Sequence, residues 1–224
     1  MFAGEQRQRV VDLCVALSRQ GYLAATGGNV SLRVDAEHFV VTPSSVDYHT
    51  MGAADICVIR LSDRARVEGA RAPSVETGLH ARVLSRRADV GCCIHTHQPL
   101  ASAFALLGEG LTVEDPRARA CLGPRVRLVG YMPSGTALLA WMLGRAVRPE
   151  CNAYLMRNHG VLCCGADIEQ AALAVELLER LAGESLRQRI AVRAGGDPLR
   201  ASDLLGLVDA LESTRHHPHL GEPA

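Results

Sequence analysis

Apolar residues recur at helical spacing near the start of the chain. From Gln6 to Gln20 they fall at Val10, Val11, Leu13, Cys14 and Leu17, and Gly21 follows as a stop, so the pattern predicts an amphipathic opening helix. The period then shortens to two. Asn29 to Val34 and His38 to Thr42 alternate around Asp35-Ala36, and Ile56 to Leu61 follows a turn-rich stretch, which reads as a β-meander. Helix and strand patterns alternate thereafter. Pro73-Ser74 opens a helix to about Arg87, Val90 to Thr96 is a buried strand, and Pro99 to Leu107 is a short helix. A strand near Val126 to Val129, a helix from Ser134 to about Val147 and a strand from Ala153 to Arg157 come next. Asn158-His159-Gly160 makes a tight turn into Val161 to Cys164, and Asp167 starts a long helix toward Arg193. The expected architecture is α/β, a single-domain α/β/α layer sandwich with a mostly antiparallel central sheet. The domain is expected over residues 1–200, with 201–224 as a partly mobile C-terminal tail.

Composition narrows the chemistry. A chain of 224 residues with 48% hydrophobic side chains fills one sizeable core. Its 24 basic and 24 acidic residues cancel, so the field that draws nucleic acid or an anionic membrane is absent and a small-molecule partner is expected. All 24 basic residues are arginines. Without a lysine amine, Schiff-base aldolase, internal-aldimine and Walker-type phosphate chemistry are excluded. Eight cysteines include the adjacent pairs Cys92-Cys93 and Cys163-Cys164, whose members point to opposite faces of a strand and do not pair with each other. With no signal peptide or apolar run of membrane-spanning length at hand, a reduced cytoplasmic protein is expected.

His95-Thr96-His97 ends the strand VGCCIHTH, and the two-residue period sets both imidazoles on one face about 6.6 Å apart along the strand. His159, in the strand-turn-strand LMRNHGVLCC, is a third candidate, and three neutral imidazoles with an open position suit a catalytic Zn²⁺ or a similar divalent metal. The alternative is histidines packing at a strand end. Glu76 stands near a helix start, where the macrodipole alone accounts for an acid, and His80 shares its face as a packed or ligand-supporting residue. Thr26-Gly27-Gly28-Asn29, Thr42-Pro43-Ser44-Ser45 and Ser74 are turns and a helix start of the kind that present amides and hydroxyls to an anion.

Five segments in order resemble the class II aldolase and adducin family: ATGGNVSLR (25–33), VVTPSSVDY (40–48), APSVETGLH (72–80), DVGCCIHTHQP (89–99) and MRNHGVLCCG (156–165). The resemblance implies that His95, His97 and His159 hold the zinc and that Glu76 is the catalytic base. It also implies that Gly28, Asn29, Ser44, Ser45 and Ser74 form the substrate's phosphate pocket. The implied activity is a zinc-dependent lyase that cleaves a fuculose-1-phosphate-like ketose 1-phosphate by reversible retro-aldol chemistry, as a homotetramer. Epimerisation, dehydration or decarboxylation on the same scaffold, and a non-catalytic adducin-like interaction module, are the alternatives. The chain departs from the aldolases in two respects: it has no Tyr between Tyr48 and Tyr131 and none after Tyr154, and the S-S-E of many aldolases is Ser74-Val75-Glu76 here, which removes one hydroxyl that could hold phosphate. Candidates for the proton-donating acid are Tyr131, Glu114, Asp115, His216, His217 and His219.

Overall fold

The computed structural model describes residues 1–23, 27–195 and 197–215. Helix α1 (Gly4–Arg19) buries Val10, Val11, Leu13, Cys14 and Leu17, the stripe that the spacing predicts. Strands β1 (Asn29–Arg33), β2 (His38–Val41) and β3 (Cys57–Arg60) form the expected meander. A short edge strand that the pattern did not show, β4 (Arg66–Glu68), extends it. Then come α2 (Thr77–Arg86), β5 (Cys92–Thr96), α3 (Pro99–Leu106), β6 (Leu111–Thr112), α4 (Pro116–Leu122) and β7 (Arg125–Val129). The chain continues through α5 (Ala137–Ala146), β8 (Ala153–Met156), β9 (Gly160–Gly165), α6 (Ile168–Ala194) and α7 (Pro198–Thr214).

Two helices start later than expected, each for a local reason. The Ser74 amide donates to the Thr42 carbonyl at 3.1 Å and Pro73 bridges to Pro43, which commits that backbone to a neighbouring loop, so α2 begins only after Glu76. Thr136 caps α5, its hydroxyl accepting from the Leu139 amide at 3.2 Å, and this places the start three residues past Ser134. Helix α4 owes its start to Asp115, which accepts from the Ala118 amide at 2.6 Å ahead of Pro116. Helix α7 runs through the domain boundary expected at residue 200. Arg187 of α6 holds it through Asp209 and Glu212, at 2.8 and 2.6 Å. Residues 216–224, the rest of the expected tail with His216, His217 and His219, lie outside the described residues.

The nine strands form one sheet in the order β4-β3-β2-β1-β5-β9-β8-β7-β6. It is mixed, which corrects the expectation of a mostly antiparallel sheet. Strands β7 and β8 run parallel, because α5 crosses between them, while the other neighbouring pairs are antiparallel. Both faces of the sheet are covered. Val30, Leu32, Val40, Val58, Ile94 and Val161 share a cluster with residues of α1, α3, α4 and α6, and Phe39, Val41, Ile59, Tyr154 and Leu162 share another with α2 and α5. Cys92 and Cys163 join the first cluster, Cys93 and Cys164 the second, as strand alternation requires, and all eight cysteines are free. Among the described residues no helix is long and apolar enough to cross a membrane.

Candidate active site

The pairing of β5 with β9, Thr96 opposite Val161, brings the end of the His95-Thr96-His97 segment against the turn that carries His159. Asn158 takes the left-handed conformation at φ 55°, which Asn tolerates, and the turn closes on Gly160. Gly160 is required by close approach: a Cβ there would stand 2.5 Å from His97 Cδ2 and 2.6 Å from the Thr96 carbonyl oxygen. Gly28 plays the same part on the other side of β5. At φ 99°, its Cβ would meet Leu23 Cδ2 at 2.5 Å and the His95 carbonyl oxygen at 2.6 Å. Asn29 pairs with His95 across β1 and β5, and so enters the site from that side.

Ligand nitrogens of His95, His97 and His159 lie within 4.8 Å of one another. The rings of His95 and His159 stack at 4.9 Å, and His97 stands edge-on to both. His95 Nδ1 lies 2.7 Å from the Val161 carbonyl, an acceptor only, so the proton sits on Nδ1 and Nε2 offers a lone pair. That lone pair faces His97 Nε2 at 3.0 Å and Glu76 Oε2 at 3.0 Å. His159 Nε2 approaches Glu76 Oε1 at 2.7 Å without hydrogen-bond geometry and is left buried with no hydrogen-bond partner. Three imidazoles converging beside a carboxylate fit a divalent metal ion. Burial foremost, then the neighbouring His95 and His159, pushes His97 down to about 4, which keeps it an uncharged ligand near neutral pH.

Glu76 is buried at the N-cap of α2, and both of its oxygens are engaged. Oε2 accepts from Asn29 Nδ2 at 2.9 Å and Oε1 from the Ser134 hydroxyl at 3.1 Å. Burial works against its ionisation, and the hydrogen bonds donated by the Asn29 amide and the Ser134 hydroxyl favour the carboxylate. A cleft of about 170 Å³ opens beside it, lined by Val75, Gly78, Gly135, Thr136 and Arg64.

Thr26 lies outside the described residues; the rest of its segment, Gly27-Gly28-Asn29, comes together with the Thr42–Ser45 turn and Ser74. Thr42 and Val30 exchange hydrogen bonds at 3.0 and 3.2 Å, and the Ser44 amide donates to the Ala72 carbonyl at 2.9 Å. Gly28, Ser44, Ser45 and Ser74 therefore sit on adjoining loops, with Ser45 exposed in a left-handed conformation at φ 56° and Ser74 buried, its hydroxyl accepting from the Glu76 amide. Asn29 reaches the site too, but its amide is turned toward Glu76 and His80. The acid candidates separate. Glu114 and Asp115 follow β6, which pairs with the start of β7, at the end of the sheet remote from His159; Asp115 is spent on capping α4. Tyr131 follows the end of β7, the end that neighbours His159, and is exposed. Ser134 was not legible in the sequence; its only signal is the small-residue turn Pro133-Ser134-Gly135 ahead of a helix.

Residues 8–186 match the family model for the class II aldolase and adducin N-terminal domain. The chain is 28% identical to an L-fuculose phosphate aldolase of Methanococcus maripaludis, over 77% of this chain and 91% of that protein. It is 30% identical to a methylthioribulose-1-phosphate dehydratase of Sodalis glossinidius, over 83% of this chain and 98% of that protein. Among solved structures, an L-fuculose 1-phosphate aldolase superposes with a TM-score of 0.76 at 25% identity, covering 93% of this chain and 98% of that one.

Proposed function

The chain belongs to the class II aldolase and adducin family, and from that membership and the site's geometry we propose that it is a metal-dependent lyase acting on a ketose 1-phosphate by reversible retro-aldol cleavage. The observation that carries this reading is the convergence of His95, His97 and His159 to within 4.8 Å around the Glu76 carboxylate. His95, His97 and His159 would hold the ion, zinc or a similar divalent metal, which three imidazole donors suit. What a divalent ion contributes at such a site is charge, polarising a carbonyl oxygen and stabilising the negative charge that develops there.

The chain's own residues do the rest. Glu76 moves the proton at the carbon that loses or regains its partner: protonated, it delivers the proton after cleavage, and as the carboxylate it removes the same proton in the condensing direction. Asn29 and Ser134 hold both of its oxygens, so the carboxylate keeps one orientation through the exchange. Gly28, Asn29, Ser44, Ser45 and Ser74 make up the phosphate pocket, through loop amides and hydroxyls, since no lysine exists to do it. Tyr131, at the same end of the sheet, takes the hydroxyl proton as the aldehyde departs and returns it to the aldehyde oxygen in the condensing direction. The active form is a cytoplasmic homotetramer, and eight free cysteines fit a reducing compartment.

The dehydratase relative favours a second reading, loss of water from a methylthioribulose-1-phosphate-like substrate at the same site. A coupled assay separates the two. Release of dihydroxyacetone phosphate from L-fuculose 1-phosphate or 5-deoxy-D-ribulose 1-phosphate supports the lyase. Silence on both, with water elimination from methylthioribulose 1-phosphate, supports the dehydratase.

A further inference from the structure

We infer that His80 is a positioning residue for Glu76, acting through Asn29 by a one-way chain of hydrogen bonds that begins at Ser31. The inference rests on the reading of Glu76 as the base. Glu76 and His80 stand four residues apart, on one face at the start of α2. His80 is wholly buried, and both ring nitrogens are used: Nδ1 lies 2.7 Å from the Ser31 hydroxyl and Nε2 lies 2.5 Å from Asn29 Oδ1. The Asn29 amide spans the remaining gap, with Nδ2 at 2.9 Å from Glu76 Oε2.

Acceptor chemistry fixes the direction of the chain. A carboxylate oxygen only accepts, so Asn29 presents its NH₂ to Glu76 and its carbonyl to His80. A carbonyl only accepts as well, so the His80 proton is on Nε2, and Nδ1 takes the Ser31 proton. Every donor has one acceptor. Were the Asn29 amide to turn over, its oxygen would face the Glu76 oxygen and its NH₂ would face the His80 N–H, two repulsive contacts instead of two attractive ones. His80 thus locks the Asn29 rotamer that holds the base. Burial, foremost, pushes His80 down to about 3, which keeps the ring neutral and this polarity intact across the working range. An apolar side chain would fill the same place without the desolvation cost of a fully buried imidazole, and that cost is what a packing role leaves unexplained. Asn29 in turn serves the base with its side chain and leaves the phosphate to its backbone and the neighbouring loops.

Two measurements test this on the full-length, metal-loaded protein. The first is deuterium exchange from D₂O into dihydroxyacetone phosphate, which needs the base and no aldehyde partner. His80→Phe is expected to retain metal and fold, to slow exchange by about 10- to 100-fold, the usual effect of removing a residue that orients another, and to leave KM within about twofold. The acid limb of its pH profile should move upward, because a carboxylate that loses a donated hydrogen bond is easier to protonate. His80→Gln, whose amide NH₂ can replace the Nε2–H, should restore most of the rate. Equal impairment of Phe and Gln, or an unchanged rate and pH profile in Phe, overturns the inference. The second measurement is the ¹⁵N NMR tautomer of His80 in the wild-type protein, expected as Nε2–H; the Nδ1–H form or an imidazolium at neutral pH overturns it even if a variant fails to fold. Glu76→Gln exchanging at the wild-type rate would instead remove Glu76 as the base, and a wild type that exchanges nothing would remove the aldolase reading, while the tautomer still reports on the chain.

Discussion

Glu76 is a buried carboxylate with a hydrogen-bond donor on each oxygen and two imidazoles within 3.0 Å. Glu76→Gln keeps the size but cannot accept a proton. Turnover should fall by about 10²- to 10⁴-fold with metal content unchanged, as read by steady-state kinetics and metal analysis of the same preparation. His80 adds a prediction on stability. Its folded value is pushed down to about 3, below the ordinary 6.5, so between those values the unfolded chain binds a proton that the folded one excludes. Stability is then complete above about 6.5 and declines as the pH falls toward 3, with a slope of up to about 1.4 kcal/mol per pH unit from this one group. Denaturant titrations from pH 7 to 4 should show that decline, and His80→Phe should flatten it by about one proton. His95, His97 and His159 were legible as candidate ligands because strand periodicity and a tight turn constrain where they point, whereas Glu76 was legible as a base only through the family resemblance, since the macrodipole alone accounts for an acid at a helix start. The Ser31–His80–Asn29 connection was not, because its members are separated by up to 51 positions and meet only across α2 and β1.

At the scale of elements, the site depends on how closely two loops approach the end of β5. Gly28 and Gly160 press against the His95 and Thr96 carbonyls from opposite sides, each at a would-be Cβ distance of 2.6 Å from backbone that cannot step aside. Gly28→Ala also forces an L side chain to φ 99°. It should cost about 1 to 3 kcal/mol, seen as a lower Tm. Gly160→Ala should in addition weaken metal binding, since the displaced atoms include the His97 ring; a metal titration by calorimetry checks it. Periodicity identified α1, the meander, β5, β8, β9 and α6, whose patterns are long or flanked by clear turn residues. It missed β4 and β6, of three and two residues, which are too short to show a period and exist because a neighbouring strand offers them an edge. The late starts of α2 and α5 were also hidden, because a loop contact at Thr42 and a cap at Thr136 decide them.

For the whole molecule, apolar side chains lie exposed beside the site: Val75 at 69%, Tyr131 at 54%, Leu138 at 49% and Trp141 at 46%. Leu138 and Trp141 are one turn apart on α5, and Val75 sits against Gly135 at the mouth of the cleft. Burying that surface is what a homotetramer would do. Light scattering should give a mass four times that of the chain, and Trp141→Glu should lower it. The alternation of helix and strand patterns was legible; the mixed sheet, with its parallel β7–β8 pair, was not, because the chain order alone leaves open which edge a crossover returns to. The most direct test of the whole account is the divalent-metal content of the purified protein, measured by elemental analysis beside His95→Ala, His97→Ala and His159→Ala. The account predicts about one zinc or similar ion per wild-type chain, a loss in each variant, and activity that disappears with chelation and returns with metal. A wild-type protein that stays metal-free when offered zinc, or a variant that keeps full occupancy and turnover, would contradict it.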